Sequence, residues 1–331
     1  MKKILISRTD GIGDLLLATP LIKAVKDSAH KPYTAVLASR YAAPVLVNNP
    51  AVDEVITYQK GDEKNIIKKI KAFSFDCAIA AYARPETAWL LFMAGIKERY
   101  GTANRWYSPF LFNRRVNVSR KKSEHHEADY NLMLARDVCG QAAAEREYLY
   151  LSDKEIQGGK DYVLKKGLGK GFVIVHPGSK GSAWNISEEK YGEIISLLCS
   201  VKGRQVLLTG GPAEQDKLQR IKISAGSPES LVIMNEAVEL RDFAAVIAAS
   251  SCLISSSTGP MHMAAALGVK TLSFFPPDSI PAMASRRWRP LGNIQEIIKP
   301  AREAKTPREA METISAEDVI CRLDALFRES K

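Results

Sequence analysis

The stretch Ser255-Ser-Ser-Thr-Gly-Pro-Met-His-Met-Ala-Ala-Ala-Leu-Gly268 predicts a strand that leads directly into a helix. The apolar residues 252–254 before it are typical of a buried strand, and the helix is expected to begin at Pro260 and end at Gly268. Backbone N–H groups converge at such a turn, so an anion such as phosphate is favoured there. Ordinary strand-to-helix turns have a similar composition, and this stretch alone leaves both interpretations open.

Two more strand-ending loops in the C-terminal half are rich in glycine and hydroxyl side chains. One follows a predicted strand at 172–175 and spans 176–184, and the other follows 205–208 and contains Thr209-Gly210-Gly211-Pro212. The carboxyl ends of parallel strands lie along one edge of a sheet, so the three loops are expected to converge. Together they predict a nucleotide diphosphate site in this half of the chain.

The N-terminal half opens with the same pattern of strand, glycine-containing turn and helix. Residues 3–7 are predicted as the strand and 10–14 (Asp-Gly-Ile-Gly-Asp) as the turn, and leucines at helical spacing follow. The unit is Rossmann-like, although it lacks the third glycine of the dinucleotide fingerprint. Gly11 and Gly13 let the backbone approach a ligand, and Asp14 either lies at that ligand or only caps the helix.

Strands alternate with helices along both halves, which predicts an α/β protein with two parallel, doubly wound sheets. A charged, glycine-containing region after residue 152 marks a shift in composition. We therefore predict an N-terminal Rossmann-like domain at 1–157 and a linker at 158–171. A C-terminal Rossmann-like domain at 172–312 and a terminal helix at 313–331 complete the predicted organisation.

The net charge of +10 favours anionic partners, namely nucleic acid, acidic lipid head groups or phosphorylated substrates. A basic surface also serves solubility alone. The five cysteines are far apart and form no Cys-x-x-Cys pair, which is typical of reduced thiols in a cytoplasm. No apolar run reaches the length of a membrane span, and the first residues are not typical of a signal peptide. We therefore expect a cytoplasmic protein.

Basic and aromatic residues alternate between residues 99 and 122, beginning with Arg99 and Arg105. Binding of single-stranded nucleic acid is one interpretation, binding of an anionic glycan by arginines is a second, and a solvated surface loop is a third. The adjacent residues His125 and His126 raise the question of a metal site. Neighbouring side chains of a helix point in different directions, however, and we predict no metal.

These pieces, in this order, resemble glycosyltransferase family 9, which includes the lipopolysaccharide heptosyltransferases, over nearly the whole chain. The matching pieces are 11–14 with Thr19-Pro20, Asn49-Pro50 before 52–55, His126-Glu127, 176–179 (His-Pro-Gly-Ser), 209–212 (Thr-Gly-Gly-Pro), 257–262 (Ser-Thr-Gly-Pro-Met-His) and 287–292 (Arg-Trp-Arg-Pro-Leu-Gly).

The resemblance implies a GT-B fold, in which two Rossmann-like domains face each other across a cleft and the C-terminal domain holds the donor. It implies an inverting, metal-independent transfer of heptose from ADP-heptose to the lipopolysaccharide inner core, with no cofactor. The acceptor would be a lipid-linked anionic glycan ending in Kdo or heptose. Because this acceptor is lipid-anchored, we expect peripheral contact with the cytoplasmic face of the inner membrane, and we expect no nucleic acid partner.

Under this resemblance, Asp14 falls on the catalytic base of the family, and each domain receives a set of binding residues. The predicted acceptor-binding residues are Gly11, Gly13, Arg99, Arg105 and His126. The predicted donor-binding residues are Ser179, Lys180, Ser182, Thr209, Gly210, Gly211, Ser257, Thr258, Gly259, Pro260, Met261 and His262. Backbone N–H groups at 258–261 would stabilise the charge that grows on the leaving diphosphate. For His262, packing within the helix is an equally open interpretation.

The chain departs from the family pattern at two places. Ser257 stands where the family usually has Asp or Asn, and Ser182 and Ala183 stand where a Lys or Arg often precedes the tryptophan. Lys180 lies two residues from that position. These departures leave open a different nucleotide sugar for cell-surface glycan synthesis. The other open classes are an epimerase or phosphorylase of the same architecture and a non-catalytic protein that binds nucleotides or nucleic acid.

Overall fold

The computed structural model describes residues 1–179, 181, 183–302 and 304–328. The chain forms two compact units, Met1–Tyr150 and Leu151–Lys331, which are called unit 1 and unit 2. Within the described residues, each unit contains one six-stranded sheet whose neighbouring strands all run parallel. The predicted α/β class with two doubly wound parallel sheets is therefore confirmed.

Unit 1 alternates strands and helices along its length. Its strands are β1 (Lys3–Arg8), β2 (Tyr33–Ser39), β3 (Glu54–Tyr58), β4 (Cys77–Ala80), β5 (Glu98–Thr102) and β6 (Arg114–Val116). Its helices are α1 (Ile12–Leu16), α2 (Thr19–Lys26), α3 (Glu63–Phe73), α4 (Pro85–Met93), α5 (Ser108–Leu111), α6 (Glu127–Met133) and α7 (Arg136–Cys139), with a 3₁₀ turn at Ala43–Leu46.

Unit 2 repeats the alternation. Its strands are β7 (Val173–His176), β8 (Val206–Leu208), β9 (Leu231–Ile233), β10 (Cys252–Ser256), β11 (Lys270–Phe274) and β12 (Gln295–Ile298). Its helices are α8 (Asp153–Lys165), α9 (Glu188–Ser200), α10 (Gln215–Ser224), α11 (Leu240–Ala249), α12 (Gly259–Ala266), α13 (Ser285–Trp288), α14 (Pro307–Met311) and α15 (Ala316–Arg328), with 3₁₀ turns at Pro212–Glu214 and Pro281–Met283.

The strand order is the same in both units. The sheet of unit 1 runs β3-β2-β1-β4-β5-β6, and that of unit 2 runs β12-β11-β10-β7-β8-β9, so in each unit the first strand lies beside the fourth. From that central pair the chain winds outward in both directions. The carboxyl ends of such a pair form the switch point at which open α/β sheets bind their ligands.

The central strands are buried because helices cover both faces of a doubly wound sheet, and their sequences are correspondingly apolar. In unit 1, Leu5 of β1 lies between Ala35 of β2 and Ala78 of β4. In unit 2, Ile254 of β10 occupies the same kind of position between Leu272 and Val175. The residues that follow these central strands are therefore presented at a rigid edge.

The structure differs from the predicted linker at 158–171, because most of helix α8 lies within those residues. The side chain of Ser152 and that of Glu155 form a capping box that starts this helix. Arg241 of α11 then donates two hydrogen bonds to Glu155, at 2.7 and 2.8 Å. A Cβ at Gly159 would clash with the carbonyl oxygen of Ala245, so the glycine permits close packing of α8 on α11. The helix thus belongs to unit 2, and the two units divide after Tyr150.

Two other boundaries differ from the sequence predictions. Residues 148–151 (Tyr-Leu-Tyr-Leu) have the composition of a strand, yet they lie outside the sheet, and Tyr148 donates its backbone N–H to the hydroxyl of Thr19 at 2.9 Å. The terminal helix α15 packs on α9 and β12, so it is a part of unit 2 rather than a separate segment. Within the described residues, no helix combines the length and hydropathy that crossing a bilayer requires.

Candidate active site

Arg8 is the last residue of β1 and is buried at the switch point of unit 1, with 2% of its surface exposed. Its guanidinium donates to three carboxylates: Nε to Asp10 at 2.8 Å, Nη2 to Asp14 at 2.6 Å and Nη1 to Glu127 at 2.9 Å. Arg8, Asp10 and the carboxylate of Glu127 were not predicted from the sequence as site residues. A buried cation requires such partners, because an unpaired charge in the interior is strongly destabilising.

Asp14 lies in the first turn of α1 and keeps 29% of its side chain exposed. The N-cap of this helix is Gly11, which has no side chain to cap it, so Asp14 is not the cap residue. Its Oδ1 atom is held by Arg8 instead. A Cβ at position 11 would lie 3.0 Å from Asp14 Oδ2, which is why a glycine suits that position. The site therefore presents an accessible carboxylate whose orientation is set by a buried guanidinium.

A second guanidinium completes the site. Arg120 donates through Nε to both oxygens of Glu127, at 3.0 and 3.1 Å. Both arginines also donate to Asn131 Oδ1, at 3.1 Å from Arg8 and 3.2 Å from Arg120. We call Arg8, Asp10, Asp14, Arg120 and Glu127 the arginine–carboxylate cluster. Helix α6 and the segment before it thus support the residues that follow β1.

The cluster contains one more carboxylate than guanidinium groups, and this affects Asp10. Burial raises the pKa of Asp10 to about 7, and Arg8 opposes that rise only in part, while the nearby Asp14 adds to it. Burial by itself lowers the pKa of Arg8, yet its three carboxylate partners outweigh that effect and hold this pKa above its usual value. Asp10 therefore exchanges a proton close to neutral pH, whereas Arg8 stays charged.

The residues predicted to bind the acceptor are distributed unevenly. Gly11 and Gly13 flank Asp14 at the start of α1, and His126 is the N-cap of α6, where its Nδ1 accepts from the N–H of Ala128 at 3.3 Å. Arg105 is exposed in the turn after β5. The structure thus brings two glycines and the residue before Glu127 to the cluster.

Arg99 does not point toward the cluster, and its predicted role is not supported by its contacts. Its Nε donates to the carbonyl oxygen of Leu111 at 2.8 Å, and its guanidinium lies over the ring of Phe92 at 5.2 Å from the centroid. Burial lowers its pKa. The segment around it is also more ordered than the loop interpretation allowed, because it contains β5, α5 and β6.

In unit 2, β10 ends at the switch point and is followed by α12, as predicted from residues 255–268. Thr258 is the N-cap residue, Gly259 begins the helix, and Gly268 after it has a φ of +75°, a left-handed conformation that favours glycine. Thr258 is 5% exposed, and its Oγ1 has no hydrogen-bond partner within the described chain. The first turn of α12 also contains no acidic residue among those described. This helix end therefore offers donors to an anion.

The neighbouring loops are tied to this turn by hydrogen bonds. Asn185 accepts from the hydroxyl of Ser256 and donates to the carbonyl oxygen of Pro177 at 3.1 Å. His176 Nδ1 lies 2.9 Å from the hydroxyl of Thr209, so the ends of β7 and β8 are linked as well. The predicted convergence of the three loops is therefore present in these contacts, although the sequence analysis did not identify Asn185.

The remaining predicted donor residues fall into three groups. Gly210 and Gly211 lie in the loop after β8, where Glu214 accepts from the Gly211 N–H at 2.8 Å. Ser257, Pro260, Met261 and His262 lie in or beside the first turns of α12, with Met261 and His262 buried. Ser179 is described, whereas Lys180 and Ser182 lie outside the described residues.

Basic side chains reach the same region from other elements. Lys217 of α10 donates to the carbonyl oxygen of Pro177 at 2.9 Å. A cavity of about 560 Å³ opens beside Asn185, and the charged residues of its lining are Lys217, Arg308, Glu188, Glu189 and Glu312. Both cationic and anionic groups are therefore present near this loop. Within the described residues, no group of three or more His, Cys, Asp or Glu side chains is arranged to hold a metal ion.

Two doubly wound units of this order, each with polar residues at its switch point, have the architecture of the GT-B class. The model of glycosyltransferase family 9 (heptosyltransferase) matches residues 64–316, and the chain belongs to this family. It is a glycosyltransferase by that membership, and the resemblance seen in its sequence is confirmed.

The relatives named after their activity agree with this family. The chain is 29% identical over 342 residues to a Haemophilus influenzae protein described as "Putative glycosyltransferase", an alignment that covers 99% of this chain and 97% of the relative. It is 24% identical over 349 residues to lipopolysaccharide heptosyltransferase 3 of Escherichia coli, covering 96% and 97% of the two chains.

Solved structures share the fold at lower sequence identity. The Escherichia coli ADP-heptose LPS heptosyltransferase II superposes with a TM-score of 0.83 at 19% identity, over 99% of this chain and 100% of that one. Escherichia coli heptosyltransferase WaaC with ADP superposes with a TM-score of 0.77 at 17% identity, over 98% and 99% of the chains. These superpositions extend over both units.

Proposed function

We propose that this glycosyltransferase moves heptose from ADP-heptose to the lipopolysaccharide inner core, with inversion at the anomeric carbon and without a metal ion. The observation that carries the proposal is the accessible carboxylate of Asp14, which buried Arg8 holds at the switch point of unit 1. Membership of a heptosyltransferase family and the names of the relatives support heptose as the sugar. The structure of WaaC with ADP, which shares this fold, supports the nucleotide.

In the proposed reaction, Asp14 takes the proton of an acceptor hydroxyl while the oxygen of that hydroxyl attacks the anomeric carbon of heptose. The bond between that carbon and the diphosphate oxygen breaks, its electron pair leaves with ADP, and the new glycosidic bond has the opposite configuration. One base is sufficient because ADP leaves without needing a proton from a carboxylic acid. Arg8 acts as a positioning residue, since it fixes Asp14 Oδ1.

Unit 2 supplies the groups that would neutralise the leaving diphosphate. The N-terminus of α12 offers backbone N–H donors, and Thr258 at that end has a hydroxyl without a hydrogen-bond partner among the described residues. The described first turn contains no acidic residue, which suits an anion there. Fixed donors of this kind stabilise charge without a metal.

We further propose that the acceptor is a lipid-linked anionic glycan held by unit 1 near Gly11, Gly13 and His126. The chain would then work in peripheral contact with the cytoplasmic face of the inner membrane, and the net charge of +10 supports attraction to anionic lipids and glycans. Nucleic acid is not proposed as a partner. A salt titration of RNA binding tests that point, because affinity at low salt would contradict it.

One sequence observation favours a second donor. Ser257, Ser182 and Ala183 replace polar or charged residues that the family usually has around the donor, so a different nucleotide sugar remains the alternative substrate. Purified protein should be incubated with ADP-heptose and with UDP- and GDP-sugars, each with a core acceptor ending in Kdo or in heptose. Transfer from ADP-heptose with an inverted anomeric linkage supports the proposal. Transfer from another nucleotide sugar alone, or retention of configuration, would overturn it.

A further inference from the structure

An open groove on unit 1 is lined mainly by aromatic and aliphatic side chains. It has a volume of about 620 Å³, and its lining consists of Glu63, Pro85, Glu86, Trp89, Trp106, Tyr107, Phe110 and Leu111. Trp106 is 79% exposed and Phe110 is 74% exposed. We call this feature the aromatic groove. Large aromatic side chains that lie exposed together at a groove favour contact with a partner.

Helix α4, which forms one wall of the groove, is apolar on both of its faces. Leu90 is buried in the core, whereas Trp89, Phe92 and Met93 are exposed at positions i, i+3 and i+4, which lie on one side of a helix. A helix that is apolar all round needs an apolar environment on its outer side as well. Arg99 lies over the ring of Phe92, yet the stripe stays at the surface, which points to a partner beyond the chain's own core.

The chain around the groove carries almost all of the protein's excess positive charge. Residues 60–122 contain fourteen Lys and Arg against five Asp and Glu, an excess of nine, while the whole protein has a net charge of +10. Helix α3, which packs against α4, contributes Lys64, Lys68 and Lys71 at helical spacing, and all three are exposed. Exposed lysines therefore lie on the helix that packs against one wall of the groove.

We propose that the aromatic groove is the surface by which this protein docks on an anionic lipid bilayer. Trp106 and Phe110 insert at the level of the head groups, and the lysines of α3 lie against the acidic lipids. Tryptophan favours this depth because its ring is largely apolar and its N–H is polar. The proposal rests on the membrane contact in the proposed function and gives that contact a definite surface.

The charge distribution selects a bilayer over a protein partner as the occupant. A bilayer offers an apolar layer beneath a continuous negative surface, which matches an apolar groove beside a basic helix. Glu63 and Glu86 at the groove oppose this attraction, so they should limit the affinity. The carboxylate of Glu63 also accepts from the N–H of Gly61 at 2.9 Å, whereas Glu86 is exposed and can be changed with little effect on the fold.

The first test is sedimentation with vesicles of phosphatidylcholine alone and of phosphatidylcholine with phosphatidylglycerol, without any sugar donor. The wild-type chain should bind the anionic vesicles, and the double variant Trp106→Ser, Phe110→Ser should bind them more than about tenfold more weakly. The matched control is Val201→Ser, Ile223→Ser, which removes two exposed apolar side chains from unit 2. Equal binding by the two double variants would overturn the proposal.

The second test changes the charge and leaves the groove intact. Lys64→Glu, Lys68→Glu should lower binding to anionic vesicles by at least about fivefold for each lysine, and Glu86→Lys should raise it. The control Lys154→Glu, Lys160→Glu alters two exposed lysines of α8 in unit 2 and should have little effect. If all of these variants bind alike, charge near the groove does not contribute and the proposal is wrong.

Two further readouts separate this surface from the transfer reaction. With a water-soluble acceptor fragment, Trp106→Ser, Phe110→Ser should retain the wild-type rate of transfer. Loss of vesicle binding with this rate retained supports the groove as the docking surface. A wild-type chain that binds the vesicles but transfers no heptose would contradict the proposed function and leave the docking surface in place. Light scattering should give the same mass for this variant and the wild type. A wild-type dimer that the variant cannot form would assign the groove to a second copy of the chain and overturn the proposal.

Discussion

At the end of β1 in unit 1, two guanidinium groups and three carboxylates are packed together, whereas at the end of β10 in unit 2 the polar groups are hydroxyls and backbone N–H groups. Both places are switch points of sheets with the same strand order. In unit 1 the charges satisfy one another, because Arg8 and Arg120 share Glu127 and Asn131. In unit 2 the hydroxyl of Thr258 has no partner among the described residues.

Under the proposed function, one fold prepares two kinds of site, one for a base and one for an anion. A base must be held in one orientation, and a network of ion pairs does that while leaving Asp14 partly exposed. An anion that binds and dissociates is better held by neutral donors. Fixed cations beside α12 would need carboxylate partners whenever the anion is absent. Substitutions at Asp14, Arg8, Asp10 and Thr258 test whether the two sites differ in this way.

The largest effect is expected from Asp14→Asn. The variant keeps an oxygen that can accept from Arg8 but loses the basic group, so the rate of sugar transfer should fall by about 10³-fold. The rise in melting temperature on adding ADP should be unchanged, because the nucleotide is assigned to unit 2. The control Asp27→Asn changes an exposed aspartate of unit 1. Transfer at an undiminished rate would end the assignment of Asp14.

Arg8→Met should be the most destabilising of these changes. It leaves Asp10 and Glu127 buried without one of their partners, and loss of one member of a buried ion-pair network costs about 3–5 kcal/mol. Denaturant unfolding measures this free energy. Arg114→Met, which removes an exposed partner of Glu98, is the control and should change little. Similar stabilities for the two variants would show that the cluster is not a supporting network.

Asp10→Asn should change how stability depends on pH. The pKa of Asp10 is raised to about 7 by burial, so the folded state binds its proton more tightly than the unfolded state does. Stability from this group is complete at acidic pH and is lost as pH rises toward 7, with a slope of at most about 1.4 kcal/mol per pH unit. The variant keeps an acceptor for Arg8 and lacks that slope.

Unfolding measured at several pH values between about 4 and 8 compares the two proteins directly. The difference in stability between Asp10→Asn and the wild type should grow in favour of the variant as the pH rises through this range. Parallel pH profiles for the two proteins would contradict a buried, proton-binding Asp10.

The smallest effect is expected from Thr258→Val. It replaces a buried hydroxyl that has no partner among the described residues with a methyl group, so stability should stay equal or rise slightly. Affinity for ADP should fall by about tenfold, because a donor to the diphosphate is lost. Thr258→Ser retains the hydroxyl and should retain the affinity. Calorimetry measures both, and unchanged ADP binding in Thr258→Val would remove this residue from the donor site.

Much of the fold was predictable because its signals are local. Each signal lies within a few consecutive residues. The signals are the alternation of apolar strands with amphipathic helices, Pro260 near the start and Gly268 after the end of α12, and the glycine turn before Asp14. The linker prediction failed for the same reason. The glycines of α8 suggested a flexible segment, but Gly159 serves a close contact with Ala245, which is remote in sequence.

The amino-acid sequence by itself determined the two α/β halves, the three glycine- and hydroxyl-rich loops and the family to which the chain belongs, because short-range patterns encode all of them. Only the tertiary structure decided what surrounds Asp14. Arg8 meets Glu127 and Asn131 across separations of 119 and 123 residues, and no local pattern predicts which buried charges will be neighbours. The exposure of Trp106 and Phe110 was decided in the same way, since the identity of an aromatic residue does not reveal whether packing leaves it at the surface.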